Sequence, residues 1–408
     1  MPEATLAKSA SPLSLNTMTI KAIRRFLLDR GMVHSYALFI AGYFLMPSAS
    51  GHRYLYYLLV LPAVLILWRE VLAFYRDNTL AGLLLLYAAY MLSTLLWTAD
   101  FEPGVAADAL GYGLSVLSFC YISGYLWVRE APRIDRLVQR AIWLAGAAAL
   151  VSIIVWYLDN PFPFTRLEPL GVMDHQNKAG SAYGLFLVLC MHYVFTERGR
   201  LNRAVYCVAA LAILSLVILT QSRTAMAAVC VGLVILLGYR AIALAAIGMA
   251  ALWGLMTANP VIWENRVGNF SFRPGIWQQI LADMPGSWWF GHGLLVDPRV
   301  PAYDRLFDHA HNSYLATLRD GGLVGLALLM AILGLAGWWA WRLYRQSGER
   351  IYLALLLFGL TSIAMDYDRL LLKPRELWLF FWVPVALIMA TYPARGEAGS
   401  LRHPGLRR

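Results

Sequence analysis

One histidine-rich segment holds the side chains of this sequence that are best suited to proton transfer. His311 is followed directly by Asn312, and nine further residues lead to Gly322, with Gly325 three positions later. A histidine side chain titrates near about pH 6.5, so it can accept a proton from a poorly nucleophilic hydroxyl at neutral pH. We therefore predict that His311 is a general base and that Asn312 and His309 contact the substrate.

Two arginines lie where a positive charge is costly unless it meets an anion. Arg223 comes two positions after Gln221, in a very short link between two apolar runs, and a charge held at such a place is by default a functional-site hypothesis. Arg273 begins a segment whose apolar residues recur at helical spacing, with Pro274 in the first helical position. Because helix N-termini attract anions, we predict that Arg223 and Arg273 are catalytic, and that Gln221 contacts the substrate.

Polar residues at two further breaks between apolar runs complete the set of candidates. Asn177 and Lys178 open the sixth apolar run, and Arg369 and Arg375 lie in the last break. Cationic side chains bind phosphate oxygens through charge-assisted hydrogen bonds. We predict that all four residues contribute to substrate binding.

A metal centre is not expected. Asp308, His309 and His311 lie at positions i, i+1 and i+3 of one loop, which is a weak pattern without a supporting shell of hydrogen bonds. The four cysteines all fall inside apolar runs and lack the spacing of a zinc site. We expect neither a metal nor another cofactor.

The elements that must position these residues are membrane-spanning helices. The chain has 408 residues, of which 60% are hydrophobic and 14% charged, whereas soluble domains have about 45–50% and about 25%. A span needs about 20 mostly apolar residues, and we predict an all-α, polytopic integral membrane protein. The twelve predicted spans are 31–48, 54–74, 79–97, 104–128, 137–158, 178–196, 203–220, 224–239, 241–258, 321–341, 351–370 and 376–393.

The distribution of charge predicts how these spans are oriented. With the N-terminus inside, alternate segments place 22 of the 34 Lys and Arg residues on the inner side, as the positive-inside rule requires. Residues 1–30 then form a basic cytoplasmic segment, residues 31–393 a single transmembrane domain, and residues 394–408 a basic cytoplasmic tail. Within that domain, residues 259–320 form a long periplasmic loop between the ninth and tenth spans. The net charge of +10 is thus a topology signal, and no nucleic acid is expected as a partner.

The residues that carry chemistry resemble a known family. The pattern from His311 and Asn312 to Gly322 and Gly325, after a long outer loop on a many-span protein, looks like the signature of bacterial O-antigen ligases and the related O-antigen polymerases. The turn at Arg223 and the segment from Arg273 to Trp277 are similar to outer-face arginine segments of that family. Two departures from the family pattern are Leu326 and Ala327, which follow the last glycine where small hydroxyl residues are usual, and Ala227, which replaces a leucine after Arg223.

The resemblance implies a complete reaction. Such a ligase takes O-antigen polysaccharide from undecaprenyl diphosphate and joins it to a sugar hydroxyl of lipid A–core, without a metal. The implied fold is of the glycosyltransferase C type, with an active site on the periplasmic face of the bacterial inner membrane. His311 would then deprotonate the acceptor, while Arg223 and Arg273 hold the diphosphate. One direct displacement would invert the anomeric centre.

Several alternatives remain open at this stage. An O-antigen polymerase would use a second carrier-linked repeat as acceptor, and a protein O-oligosaccharyltransferase shares much of the same motif. Outside the enzyme class, a flippase or transporter of lipid-linked oligosaccharide would have ionisable residues deep in its spans and repeated halves. Asp108 and Asp366 are the few residues of that kind, and the other charges cluster on the outer face.

Overall fold

A computed structural model describes residues 31–99, 101–173, 175–238, 250, 254 and 272–397 of this chain. The predicted cytoplasmic segment 1–30, nearly all of the ninth span, the first part of the long loop and most of the C-terminal tail lie outside the described residues. The prediction of a single domain for residues 31–393 therefore stays a prediction.

The described part of the chain is predominantly helical. Its helices are α1 (Met32–Leu45), α2 (Ala49–Leu55), α3 (Leu61–Ile66), α4 (Trp68–Asp77), α5 (Thr79–Ser93), α6 (Pro103–Arg129), α7 (Ala131–Asp159), α8 (Gln176–Thr196), α9 (Arg200–Leu219), α10 (Arg223–Leu237), α11 (Arg273–Ala282), α12 (Ser313–Ser347), α13 (Ile351–Met365) and α14 (Val383–Glu397). The π-helical turn Tyr56–Val60 joins α2 to α3, and the π-helical turn Trp378–Trp382 leads into α14.

Six helices of the described ranges are long and apolar enough to cross a membrane. They are α5 with its 3₁₀ extension to Leu96, α6, α7, α8, α9 and α12. The helices α1, α10 and α13 and the segment Trp378–Ala394 are apolar but shorter. The chain is therefore a polytopic helical membrane protein, while the predicted number of twelve spans stays a prediction.

The second predicted span differs from a straight helix. The segment Ala49–Ile66 and helix α4 are bent by 75° relative to each other, and the break lies at Leu67, whose ψ of 20° ends the helical path. The bend is explained by the polarity of α4. This helix carries four charged residues, Arg69, Glu70, Arg76 and Asp77. Such a segment is poorly solvated by hydrocarbon and favours the interface.

The long loop contains a small β-hairpin, which corrects the expectation of an all-α protein. Strand β1 (Val300–Ala302) pairs antiparallel with β2 (Arg305–Phe307). The two residues of the turn, Tyr303 and Asp304, both have positive φ, as two-residue hairpins of the mirror-image turn type require. Polar loop segments without helical periodicity give only weak signals for such short strands.

The amphipathic helix predicted from Arg273 is present as α11. Ile276 and Ile280 are almost completely buried and pack with Val300 and Ala310 in a separate apolar cluster beneath the loop. Leu281, which the spacing had placed on the same apolar face, is 42% exposed. The buried stripe is thus narrower than predicted, because the hairpin covers only one side of this short helix.

Close packing of α8 against α10 brings together the two helix starts that carry candidate residues. A Cβ added at Gly180 would lie 2.8 Å from the Cβ of Ala225. Gly184 has a similarly close approach to Val229 on the same helix. Small residues allow membrane helices to approach closely, and Asn177 and Arg223 consequently lie at adjacent helix ends.

The glycine motif marks a break near the start of α12. Gly322 has φ 64° and ψ −165° inside an otherwise helical run, a conformation that is essentially limited to glycine. At this break, the amide of Leu323 donates to the carbonyl of Trp288 at 2.7 Å. A Cβ at Gly322 would lie 2.3 Å from the carbonyl oxygen of Trp289. The motif thus anchors the long loop to the backbone of α12.

Candidate functional site

The candidate site is organised around one buried carboxylate, Asp366, which follows the last residue of α13. Its Oδ1 lies 2.8 Å from Nδ1 of His311 and 2.9 Å from the amide of Tyr367. Its Oδ2 accepts a hydrogen bond from Nδ2 of Asn177 at 2.8 Å and lies 3.7 Å from Nη2 of Arg273. Residues from four separate stretches of the sequence therefore meet on a single side chain that is only 5% exposed.

Electrostatics keep this carboxylate ionised. Burial by itself raises the pKa of Asp366, but the hydrogen bond and charge of His311, followed by the charge of Arg273, outweigh burial and lower it well below its ordinary value. An ionised carboxylate only accepts hydrogen bonds. In the neutral tautomer that donates from Nδ1 to this carboxylate, the lone pair of the His311 ring is on Nε2.

The backbone holds His311 in an unusual conformation. His311 has φ 49°, which is uncommon for a residue other than glycine. The next residue, Asn312, caps α12 because its Oδ1 accepts hydrogen bonds from the amides of Tyr314 and Leu315 at 2.9 and 3.1 Å. In the structure, Asn312 therefore acts as the N-cap with which α12 begins, directly after His311.

His309 supports this conformation through its own ring. Its Nδ1 accepts a hydrogen bond from the backbone amide of His311 at 3.1 Å, and the two ring centroids are 4.0 Å apart. Burial, followed by the nearby charge of His311, lowers the pKa of His309 to about 4. The hydrogen bond from the His311 amide requires a neutral His309 ring, because Nδ1 must carry a free lone pair to accept it.

The two arginines predicted to bind an anion lie next to each other. Nη2 of Arg273 lies 3.3 Å from the hydroxyl of Thr224, the residue after Arg223. Burial lowers the pKa of Arg273, the charge of Asp366 opposes this effect, and the charge of Arg223 adds to it. Arg223 itself is exposed at the first position of α10. A pair of guanidinium groups at a helix start is a suitable receptor for a phosphate group.

Asn177 is held in place by an arginine that the sequence did not single out. Nη2 of Arg166 donates to Oδ1 of Asn177 at 3.0 Å, and its Nε donates to the carbonyl of Thr220 at 3.0 Å. Gln221, whose φ is 49°, donates from Nε2 to the carbonyl of Pro163 at 3.3 Å. The segment before α8 and the link before α10 are thereby tied together.

The arginines of the last break take part in other contacts. Nε of Arg369 pairs with Oδ2 of the fully buried Asp320, and its Nη2 donates to the carbonyl of Val296 at 2.6 Å. Arg375 pairs with Glu376 at 2.8 Å. Glu376 is buried, which raises the pKa of its carboxyl, but the charge of Arg375 outweighs burial and lowers it. Arg369 thus contacts Asp320 and the carbonyl of Val296 in place of the carboxylate of Asp366.

One group of side chains in the described residues has the composition of a metal site. His309, His311 and Asp366 each offer one ligand atom, and these atoms lie within 4.8 Å of one another. This set differs from the trio weighed in the sequence, because Asp366 takes the place of Asp308. Two of its three members already pair at 2.8 Å, so a metal would have to displace the hydrogen bond that orients the imidazole.

Sequence reasoning did not assign a role to Asp366 or Arg166. In the sequence, Asp366 is recognisable only as one of the few ionisable residues that fall within a predicted span. A signal was available, because Asp366 and Asp368 form an acidic pair directly after a helix that carries no charge. An ionisable residue at the end of such a helix is a functional-site hypothesis. Arg166 offered no comparable pattern, since its partners are a side chain and a backbone carbonyl distant in sequence.

Two comparisons with known proteins relate this chain to the O-antigen ligases. Residues 208–330 match the family model described as O-antigen ligase, a range that includes Arg223, Arg273 and His311. A curated O-antigen ligase of Pseudomonas aeruginosa PAO1 is 29% identical over 399 residues, which are 94% of this chain and 95% of that protein. The predicted resemblance to the bacterial O-antigen ligases is therefore confirmed, by the family model over residues 208–330 and by the curated relative over nearly the whole chain.

Proposed function

We propose that this protein transfers O-antigen polysaccharide from undecaprenyl diphosphate to a sugar hydroxyl of lipid A–core. The observation that carries the proposal is the meeting of His311 and Arg273 on one carboxylate, Asp366. The reaction needs a base for the acceptor hydroxyl and cations for a diphosphate leaving group. These two requirements are met here within the reach of one side chain.

The proposed base is Nε2 of His311. It takes the proton of the acceptor hydroxyl while the hydroxyl oxygen forms its bond to the anomeric carbon of the donor. The bond from that carbon to the diphosphate oxygen breaks, and the electron pair leaves with the diphosphate. Asp366 accepts the hydrogen bond from Nδ1 throughout and stabilises the imidazolium that forms. A single displacement of this kind inverts the anomeric configuration.

The proposed cations are Arg223 and Arg273. A lipid diphosphate carries about two to three negative charges, and further charge develops on its oxygen as the bond to the sugar breaks. The guanidinium group suits this role because it is planar, stays charged and can donate two parallel hydrogen bonds to phosphate oxygens. No metal is required in this scheme, so chelation with EDTA should leave transfer intact.

An apolar groove on the same face can accommodate the isoprenoid chain of the donor. A cavity of about 720 Å³ lies between the bent segment α2–α4 and helix α6, and its rim carries Arg53 and Lys373. Burial, followed by the charge of Arg53, lowers the pKa of Lys373, and Lys178 contributes to the same effect. Burial and then Lys178 also lower the pKa of His175. We infer that Arg53, Lys373 and Lys178, whose charges act on one another, guide the anionic head group toward Arg223 and Arg273.

The proposed location is the periplasmic face of the bacterial inner membrane. The site lies where α8, α10 and α12 begin and where α13 ends, which is the outer end of these helices according to the charge distribution. Both termini would then be cytoplasmic. A lipid A–core acceptor and a carrier-linked donor both present their sugars to this face.

The direct test is reconstitution of the purified protein with carrier-linked polysaccharide and lipid A–core. We expect H311A to lose transfer by a factor of about 10²–10⁴, the usual contribution of a general base. H292A is the matched control, because His292 lies in the same loop and its Nε2 contacts the backbone carbonyl of Asp283 at 3.1 Å. R273K should also fail, since lysine keeps the charge but loses the planar fork, whereas R299K should remain active. Transfer by H311A at the level of H292A would exclude the base assignment.

A further inference from the structure

A second groove lies at the opposite end of the helices from the candidate site. It has a volume of about 710 Å³ and separates the first turns of α1 from the first turns of α7. Its apolar lining includes Val33, Ala37, Leu38, Ala41, Leu137 and Leu144. Leu38 is 56% exposed. The groove therefore offers an open apolar surface to which the apolar part of a ligand could bind.

Three arginines border this groove along one face of α7. Arg133, Arg136 and Arg140 follow one another at intervals of three and four residues, which places them on the same side of a helix. All three are exposed. Arg133 pairs with Glu130 at 2.8 Å, and Nε of Arg136 donates to the carbonyl of Pro132 at 3.2 Å. An apolar groove with a cationic border is complementary to an amphiphile with an anionic head.

The groove and the candidate site belong to different leaflets. Helix α7 has 29 residues and is therefore about 43 Å long, at about 1.5 Å per residue. The arginines occupy its first turns, whereas its last residue leads into the segment that carries Arg166. The groove thus faces one leaflet, and the site around Asp366 lies at the other. The groove is therefore independent of the proposed transfer reaction.

We propose that this groove binds an anionic glycerophospholipid of the bilayer. Arg136 and Arg140 contact the phosphate, and the acyl chains lie along the apolar residues of α1 and α7. Basic pockets between membrane helices are suited to such head groups. The chain's own residues 1–30 are a poor occupant, because they carry five Lys and Arg residues but only two acidic ones and would be repelled by the three arginines.

The test is lipid binding to the full-length protein in nanodiscs or detergent, measured by native mass spectrometry. The probes are cardiolipin, phosphatidylglycerol and phosphatidylcholine, with inorganic phosphate as the probe for a head group alone. We expect R136Q/R140Q to bind the two anionic lipids about 30-fold more weakly than the wild type, as the loss of two surface cations predicts.

The matched control is R342Q/R345Q. These two arginines lie over the rings of Trp338 and Trp341 instead of bordering the groove, and the variant should retain the adducts of the wild type. Unchanged anionic-lipid binding in R136Q/R140Q, equal loss in the control variant, or equal binding of phosphatidylcholine would each overturn the proposal. Binding of inorganic phosphate as strong as that of the lipids would overturn the part assigned to the acyl chains.

Discussion

Replacing Asp366 with asparagine is the sharpest perturbation of the candidate site. The substitution keeps the size of the side chain but removes the charge that faces Nδ1 of His311 at 2.8 Å. Asparagine can also donate to Nδ1 through its amide, and this would place the proton on Nε2, where a base must have its lone pair. The variant therefore tests the orientation and the charge of the imidazole together.

The expected magnitude follows from the charge that develops on His311. When the ring takes the acceptor's proton, two unit charges about 4 Å apart attract each other by about 4 kcal/mol at an effective dielectric constant of about 20. At about 1.4 kcal/mol per factor of ten, this is a loss of about 10³ in rate. The loss should appear in kcat, while the KM for the carrier-linked donor stays close to the wild-type value, because Arg223 and Arg273 remain.

The assay is steady-state transfer of carrier-linked polysaccharide to lipid A–core by purified, reconstituted protein. D308N is the matched control, since Asp308 is an exposed carboxylate in the same loop as His311. Thermal unfolding of each variant shows whether the fold is intact. A kcat for D366N within a small factor of that of D308N would refute the reasoning that a carboxylate orients the base.

Three further predictions concern stability. G322A should unfold more readily by at least about 1–3 kcal/mol, the cost of this backbone conformation for other residues, whereas G334A on the same helix should not, because nothing lies within 4 Å of a Cβ there; equal melting temperatures would contradict this. D320N should cost about 3–5 kcal/mol, since it leaves buried arginines without their counter-charge. A wild-type melting temperature combined with a raised donor KM would instead indicate that the partner Arg369 binds substrate. Because the pKa of Asp366 is lowered in the folded state, its ionised form stabilises the fold above about pH 4 and this contribution fades as the pH falls below that value. The melting temperature of the wild type should therefore fall more than that of D366N between about pH 4.5 and 2.5, and parallel curves would contradict the shift.

Much of the architecture was accessible from the sequence because it depends on local periodicity and composition. The membrane-protein class follows from apolar runs alone, and α11 follows from the spacing of Ile276 and Ile280 after Pro274. The bend at Leu67 was less accessible, because the apolar run continues through it while the charges that explain it begin only two residues later. The hairpin in the loop was missed because each strand has three residues, too few for any pattern.

The candidate site was accessible only in part. His311, Arg223 and Arg273 were recognisable as single residues with unusual chemistry for their positions, and their proposed roles stay predictions. The carboxylate that connects His311 and Arg273 is 55 positions away from His311, and a contact over this distance depends on how α12 packs with α13. The glycines were recognisable as a motif. Why glycine is required at position 322 depends on tertiary structure, because Gly322 lies against the backbone carbonyl of Trp289 in the loop.

His311 and Arg273 share Asp366 as a partner, and this has a consequence for water. Arg273 and His311 both belong to the stretch from α11 to the start of α12, whose parts are held together by the apolar cluster around Ile276 and Ala310, while Asp366 comes from the end of α13. If this stretch lifts to admit a bulky acceptor, the imidazole loses its orienting carboxylate at the same moment as the guanidinium does. A base without its orienting carboxylate would also activate water less well, so the same dependence on Asp366 would protect the carrier-linked polymer from hydrolysis.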